Sequence, residues 1–182
     1  MATKKYKMMK SKKYQKLLLN GTTLYRIKAL KSFGPVSKDA LGGYIEKEAN
    51  LSQEGNCWVS GNARVSGNAR VSGNALVSGN ARVSGNASVS NNARMGGGAL
   101  VYGDAWVRGD ALVYGVMLVD NTQDYMYIQA PMDNITASKG IVAIGCEIHT
   151  KKHWLKNVKT IGKEHGYSDD MIKLYTKLIK CA

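Results

Sequence analysis

A mainly β protein is predicted, built around a short left-handed parallel β-helix with a β cap before it and a small α+β tail after it. Three observations predict it. Val59, Val65, Val71, Val77, Val83, Val89, Met95, Val101, Val107 and Val113 recur at every sixth residue without a gap. An alanine lies four residues after each of the first nine, from Ala63 to Ala111, and the intervening residues read Ser-Gly-Asn with few exceptions. The chain of 182 residues has a single Phe, so its core is assembled from small aliphatic side chains that suit thin, regularly stacked layers.

Each hexad reads as a short strand and a corner. Ala and Val, two positions apart, point to one face of the strand, while the residues between and after them point to the other. The Gly-Asn pair supplies the turn, because these two residue types tolerate positive φ. Three corners close a triangular coil of eighteen residues, and coils stack at ~4.8 Å through backbone hydrogen bonds. A disordered Gly/Ser linker would not place an aliphatic residue at every sixth position. The helical body is expected over residues 57–115, with Gly55-Asn56-Cys57-Trp58 already in register.

Before it, residues 17–56 are expected to form the cap. Thr22 to Leu30 alternates like a strand, and Gly42-Gly43-Tyr44-Ile45 reads as turn then strand. Residues 1–16 stand apart as a basic segment with seven lysines and no acid. After it, residues 116–182 form the tail. Tyr125 to Ile128 and Gly140 to Gly145 read as strands joined by a polar loop. Thr150 caps a helix over 151–165 that Gly166 ends, and Ser168-Asp169-Asp170 starts a second helix with Ile172, Tyr175 and Ile179 on one face.

The formal charge of +13 is concentrated at the two ends of the chain. Such a protein attracts polyanions or acidic surfaces. Three cysteines with no disulfide-like spacing fit a reducing compartment, and no apolar run reaches secretory or membrane-spanning length, so a cytoplasmic location is expected.

With an eighteen-residue coil the outward columns can be read directly. One carries Trp58, Leu76, Arg94 and Leu112, another Arg64, Arg82 and Leu100, and the third Arg70, Ser88 and Trp106. Arg64, Arg70, Arg82, Arg94 and Arg108 are the candidate anion-binding or partner-binding residues, since guanidinium pairs bidentately with phosphate or carboxylate. Solvated arginine is the plainer alternative. In the last coil Leu100, Tyr102, Trp106, Leu112 and Tyr114 are either covered by the chain's own ends or form a subunit or partner interface.

Hexad-repeat β-helices resemble two enzyme groups, the hexapeptide-repeat acyltransferases and the γ-class carbonic anhydrases. Their chemistry implies a histidine beside the coils as base or zinc ligand. Residues 57–115 contain no His. No catalytic residue is therefore nominated, no cofactor is expected, and the balance lies against an enzyme. In the tail, Cys146, His149 and His153 have a spacing that weakly suggests zinc, with His165 as the remaining ligand type.

Leu41 to Glu46 followed by Asn50 to Val59, together with Tyr25-Arg26-Ile27 and Ile144-Gly145-Cys146, resemble a family of hexapeptide-repeat proteins of phages, prophages and bacteria. Most are uncharacterised, and some are labelled acetyltransferases by their coils alone. The similarity covers most of residues 22–182 and leaves out the Lys-rich start. It implies a non-enzymatic accessory binding protein, which would use a rigid basic surface to engage or sequester a host protein, nucleic acid or nucleotide signal. A dimer or trimer is expected, in the host cytoplasm if phage-encoded. The alternatives are a trimeric acyltransferase using acetyl-CoA and a structural protein that self-associates end to end.

Overall fold

The computed structural model describes residues 4–114, 118–119, 125–128, 131–138 and 140–181. The chain divides into two compact units, Met1–Thr122 and Gln123–Ala182.

The first unit begins with an antiparallel cap of β1 (Tyr6–Met9), β2 (Gln15–Leu17), β3 (Thr23–Ala29) and β4 (Leu41–Ile45). Both β1 and β2 pair with β3, and β3 pairs with β4. Residues 1–16 are thus no separate segment among those described, and the expected boundary at 16/17 falls inside β2. Tyr6 and even Lys5 are buried. The Lys run gave no hint of this, because Tyr6 and Met8 alternate with lysines over too few residues to register as a strand.

Eleven two-residue strands follow. They are β5 (Trp58–Val59), β6 (Arg64–Val65), β7 (Arg70–Val71), β8 (Leu76–Val77), β9 (Arg82–Val83), β10 (Ser88–Val89), β11 (Arg94–Met95), β12 (Leu100–Val101), β13 (Trp106–Val107), β14 (Leu112–Val113) and β15 (Leu118–Val119). From β5 to β12 each pairs in parallel with the strand three places on, Val65 with Val83, Val71 with Val89 and Val59 with Val77. An eighteen-residue, three-sided parallel β-solenoid results, as the hexad predicts. Every valine of the ladder is at most 1% exposed and the alanines from Ala63 to Ala111 are fully buried. Isolated strands of two residues have no stability of their own; stacking supplies it.

The solenoid extends beyond the expected 57–115 at both ends. β15 continues the ladder onto Val119, which is buried. At the start, β4 pairs in parallel with β6, and Leu51 bridges Val71. Ile45, Leu51 and Val59 thus form a coil below the first regular hexads. The eight-residue step from Leu51 to Val59, in place of six, hid this coil from a period-six reading.

The open backbone of that first coil is satisfied by the cap. Lys5 Nζ donates to the carbonyls of Glu54 (3.1 Å), Gly55 (3.3 Å) and Cys57 (3.1 Å). Tyr6 Oη donates to Leu51 O at 2.6 Å and Glu48 O at 3.1 Å. Asn50 Nδ2 donates to Gly67 O and Ala69 O. An unpaired sheet edge invites further stacking, and these side chains close it.

The second unit is an antiparallel meander of β16 (Tyr125–Ile128), β17 (Ile135–Ser138), β18 (Ile141–Ile144) and β19 (Glu147–Thr150), followed by α1 (Lys151–Glu164) and α2 (Asp169–Cys181). Thr150 Oγ1 accepts from His153 N, as its capping position predicts. Trp154, Val158, Tyr175 and Ile179 pack on Ile135, Val142 and Ile144. β17 and β19 escaped the sequence reading, which expected a loop where β17 stands.

Candidate anion-binding face

One side of the solenoid is continuous with the cap. From β3 through β4, β6, β9 and β12 the register aligns Arg26, Tyr44, Arg64, Arg82 and Leu100 in one outward column. The Arg26 guanidinium lies 5.5 Å from the centre of the Tyr44 ring and its Nε donates to Gly42 O at 3.0 Å. Lys16, reaching from β2, places its ammonium 5.5 Å from the same ring centre. Four cations therefore gather around one aromatic ring and two stacked rungs.

Stacked rungs stand about 4.8 Å apart, so Arg64 and Arg82 are like charges held side by side, an arrangement that costs stability. Among the described residues, none of Lys16, Arg26, Arg64 and Arg82 has a carboxylate partner. The carboxylate in the neighbouring column, Glu46, is spent on the backbone, accepting from Gly67 N at 2.6 Å. Partial burial, then the fields of Arg64 and Arg82, push the Lys16 ammonium below its ordinary range. Arg64 is half-buried and Arg82 exposed.

The other nominated arginines stand alone. Arg70 is stacked with Ser88 and Trp106 on a second side. On the third, Arg94 sits between Leu76 and Leu112. Arg108 leans over the Trp106 ring at 5.7 Å. Of five arginines read from the repeat, only Arg64 and Arg82 adjoin one another. Lys16 and Arg26 were missed because antiparallel cap pairing, which the hexad cannot report, brings them to the column.

The last coil is partly open. Trp106 is 53% and Tyr114 40% exposed, whereas Leu100, Tyr102 and Leu112 are half-buried. Tyr114 lies over Gly96, where a Cβ would stand 2.5 Å from Cε1, which explains a glycine where the two preceding coils carry Ser60 and Ser78. Trp58 points outward as predicted but is only 5% exposed. Phe33 meets it edge-on at 5.4 Å and Tyr6 at 6.3 Å, so the loop after β3 covers this corner.

In the second unit, Cys146 occupies the turn between β18 and β19, His149 lies on β19 and His153 on the first turn of α1. His149 and His153 stack at 4.2 Å. The fold brings a different trio together: among the described residues, the group with all ligand atoms within 4.8 Å is Cys146, Glu147 and His165. Spacing alone could not find it, because α1 carries His165 back to the turn.

Among the described residues, no helix is long and apolar enough to cross a membrane. The repeat is similar to a family described as the YdcK beta solenoid repeat, whose model matches residues 59–72, 69–84 and 81–97. No curated protein matches the chain. The chain is a β-solenoid repeat protein.

Proposed function

We propose that this chain is a non-enzymatic binding protein whose cationic column of Lys16, Arg26, Arg64 and Arg82 engages an acidic macromolecular partner. The observation that supports this reading is the stack itself: four cations without carboxylate partners, two of them on adjacent rungs of a rigid sheet. Unpaired like charges at fixed spacing repel one another until an anion lies across them. A rigid scaffold also pays little ordering entropy on binding, which favours recognition by display. The family resemblance of residues 41–59 adds an accessory role of phage or prophage type, in which the partner is a host component.

The test is retention of the full chain on immobilised polyanions at low salt, comparing a single-stranded oligonucleotide with an acidic polypeptide. Retention that is lost in Arg64→Gln/Arg82→Gln but kept in Arg70→Gln supports the reading. Equal retention of all three proteins, or of none, overturns it. Release should shift to lower salt as each phosphate or carboxylate contact is removed.

A further inference from the structure

The second unit brings three metal-ligating side chains of different kinds to one place. Gly145 and Cys146 form the two-residue turn between β18 and β19, with Gly145 at φ +57. Glu147 opens β19, and His165 is the C-cap of α1, where Gly166 at φ +76 turns the chain away. Thiol, carboxylate and imidazole thus come from a turn, a strand and a helix end. All three line a cavity of about 70 Å³ whose walls include Asp133, Trp154 and Tyr167.

The ligand atoms of this group all lie within 4.8 Å of one another, and one pair stands at the separation a metal imposes. Glu147 Oε1 and His165 Nε2 stand 3.5 Å apart, beyond the usual 2.7–3.2 Å of an N–H···O bond. Two ligands on one tetrahedral zinc, at ~2.0–2.1 Å each, are separated by about 3.4 Å. The other oxygen, Oε2, is held by His149 Nε2 at 2.8 Å, and His149 is itself fixed by its stack on His153 and its edge contact with Trp154. An outer partner that orients a ligating carboxylate is the usual support of a metal ligand.

We propose that Cys146, Glu147 and His165 form a site for a zinc-type dication, with a fourth coordination position open to the cavity. One thiolate and one imidazole select a borderline-soft metal over calcium or magnesium, which take all-oxygen shells. Thiolate and carboxylate together neutralise the two charges of the ion. Three protein ligands leave the fourth position to water or a small donor, and the cavity has room for about two waters.

Cobalt(II) added to the purified full chain provides the test, because a thiolate bound to cobalt gives a charge-transfer band that a carboxylate or imidazole does not. The expected result is a one-to-one titration of that band, reversed by zinc. Cys146→Ser should abolish the band while leaving the circular dichroism unchanged. Glu147→Gln and His165→Gln should each weaken zinc about tenfold or more, measured against a chromogenic chelator. Cys181→Ser, an exposed thiol outside the trio, should remain close to the parent. Absence of the band in the parent chain overturns the proposal. So does a band that survives Cys146→Ser, or one that Cys181→Ser weakens as much as His165→Gln does.

Discussion

Corner glycines meet two separate constraints, and the structure distinguishes them. Gly73 has φ +65, and a Cβ there would lie 2.9 Å from Asn91 N on the next coil; Gly109 has φ +71 with nothing within 4 Å. An alanine pays roughly 1–2 kcal/mol for the left-handed conformation at either position, but only at residue 73 does it also push two coils apart. Gly73→Ala is therefore expected to lower the urea midpoint clearly more than Gly109→Ala, and equal losses would mean that stacking distance is not what the glycine protects. Asn91, at φ 60, fills one corner without glycine, as its amide permits. At the other end of the coil stack, burial raises the Tyr6 hydroxyl above its ordinary value of 10.0, and its bonds to Leu51 and Glu48 carbonyls require the proton. Since the folded state holds this proton more tightly, the contribution of Tyr6 is complete below pH 10 and is lost as pH rises above it, by up to ~1.4 kcal/mol per pH unit. Tyr6→Phe should cost about 1 kcal/mol at neutral pH and show a shallower alkaline slope in chemical denaturation; parallel slopes would refute the assignment.

At the scale of the element, the side chains outside two of the three corners form hydrogen-bonded ladders with a direction. Lys47 Nζ donates to Asn68 Oδ1, Asn68 Nδ2 to Asn86 Oδ1, and Asn86 Nδ2 to Asp104 Oδ1 at 2.9 Å. A second ladder runs from Asn74 through Asn92 to Asp110. An amide can both donate and accept, so it continues a ladder; a carboxylate only accepts, so the aspartates stand last. Asn86→Asp would set one carboxylate against another, and it should destabilise the chain by about 1 kcal/mol at neutral pH, more than Asn86→Ala. The deficit should vanish as pH falls through the carboxylate range near 4, where one acid regains a proton to donate; thermal melts across pH measure it, and a pH-independent deficit would exclude carboxylate repulsion. The directionality was not foreseen, although Asn and Asp at positions 86 and 104 were visible. What was visible in the sequence were elements with a strong period or cap: the valine register, Thr150 before α1, Gly166 after it, and Ile172, Tyr175 and Ile179 on the buried face of α2. β1, β17 and β19 were not, because, unlike the apolar runs of β16 and β18, their four residues mix polar with apolar side chains and carry too few alternations to stand out.

For the molecule as a whole, the candidate face was half legible. Arg64 and Arg82 follow from the eighteen-residue coil, whereas Lys16 and Arg26 depend on long-range pairing that no local pattern encodes. The same pairing makes the cap part of the solenoid: β3 and β4 belong to the sheet that continues through β6, β9, β12 and β15. Each coil otherwise contacts mainly its neighbours, so stability passes along the stack step by step. Ile27 is fully buried in the cap and touches the space that Gly42 leaves open next to Trp58. Ile27→Ala should cost ~2–4 kcal/mol locally, and the loss should fade with distance. In hydrogen exchange, the amides of Tyr44, Glu46 and Ser52, which bond to Ala63, Val65 and Val71 carbonyls, should lose most protection. Arg64 and Ser66 should lose less, and Tyr102, bonded to Val119 O, least. A uniform loss from Tyr44 to Tyr102 would show instead that the coils open together, as a single cooperative body in which the cap is no more than one contributor among many.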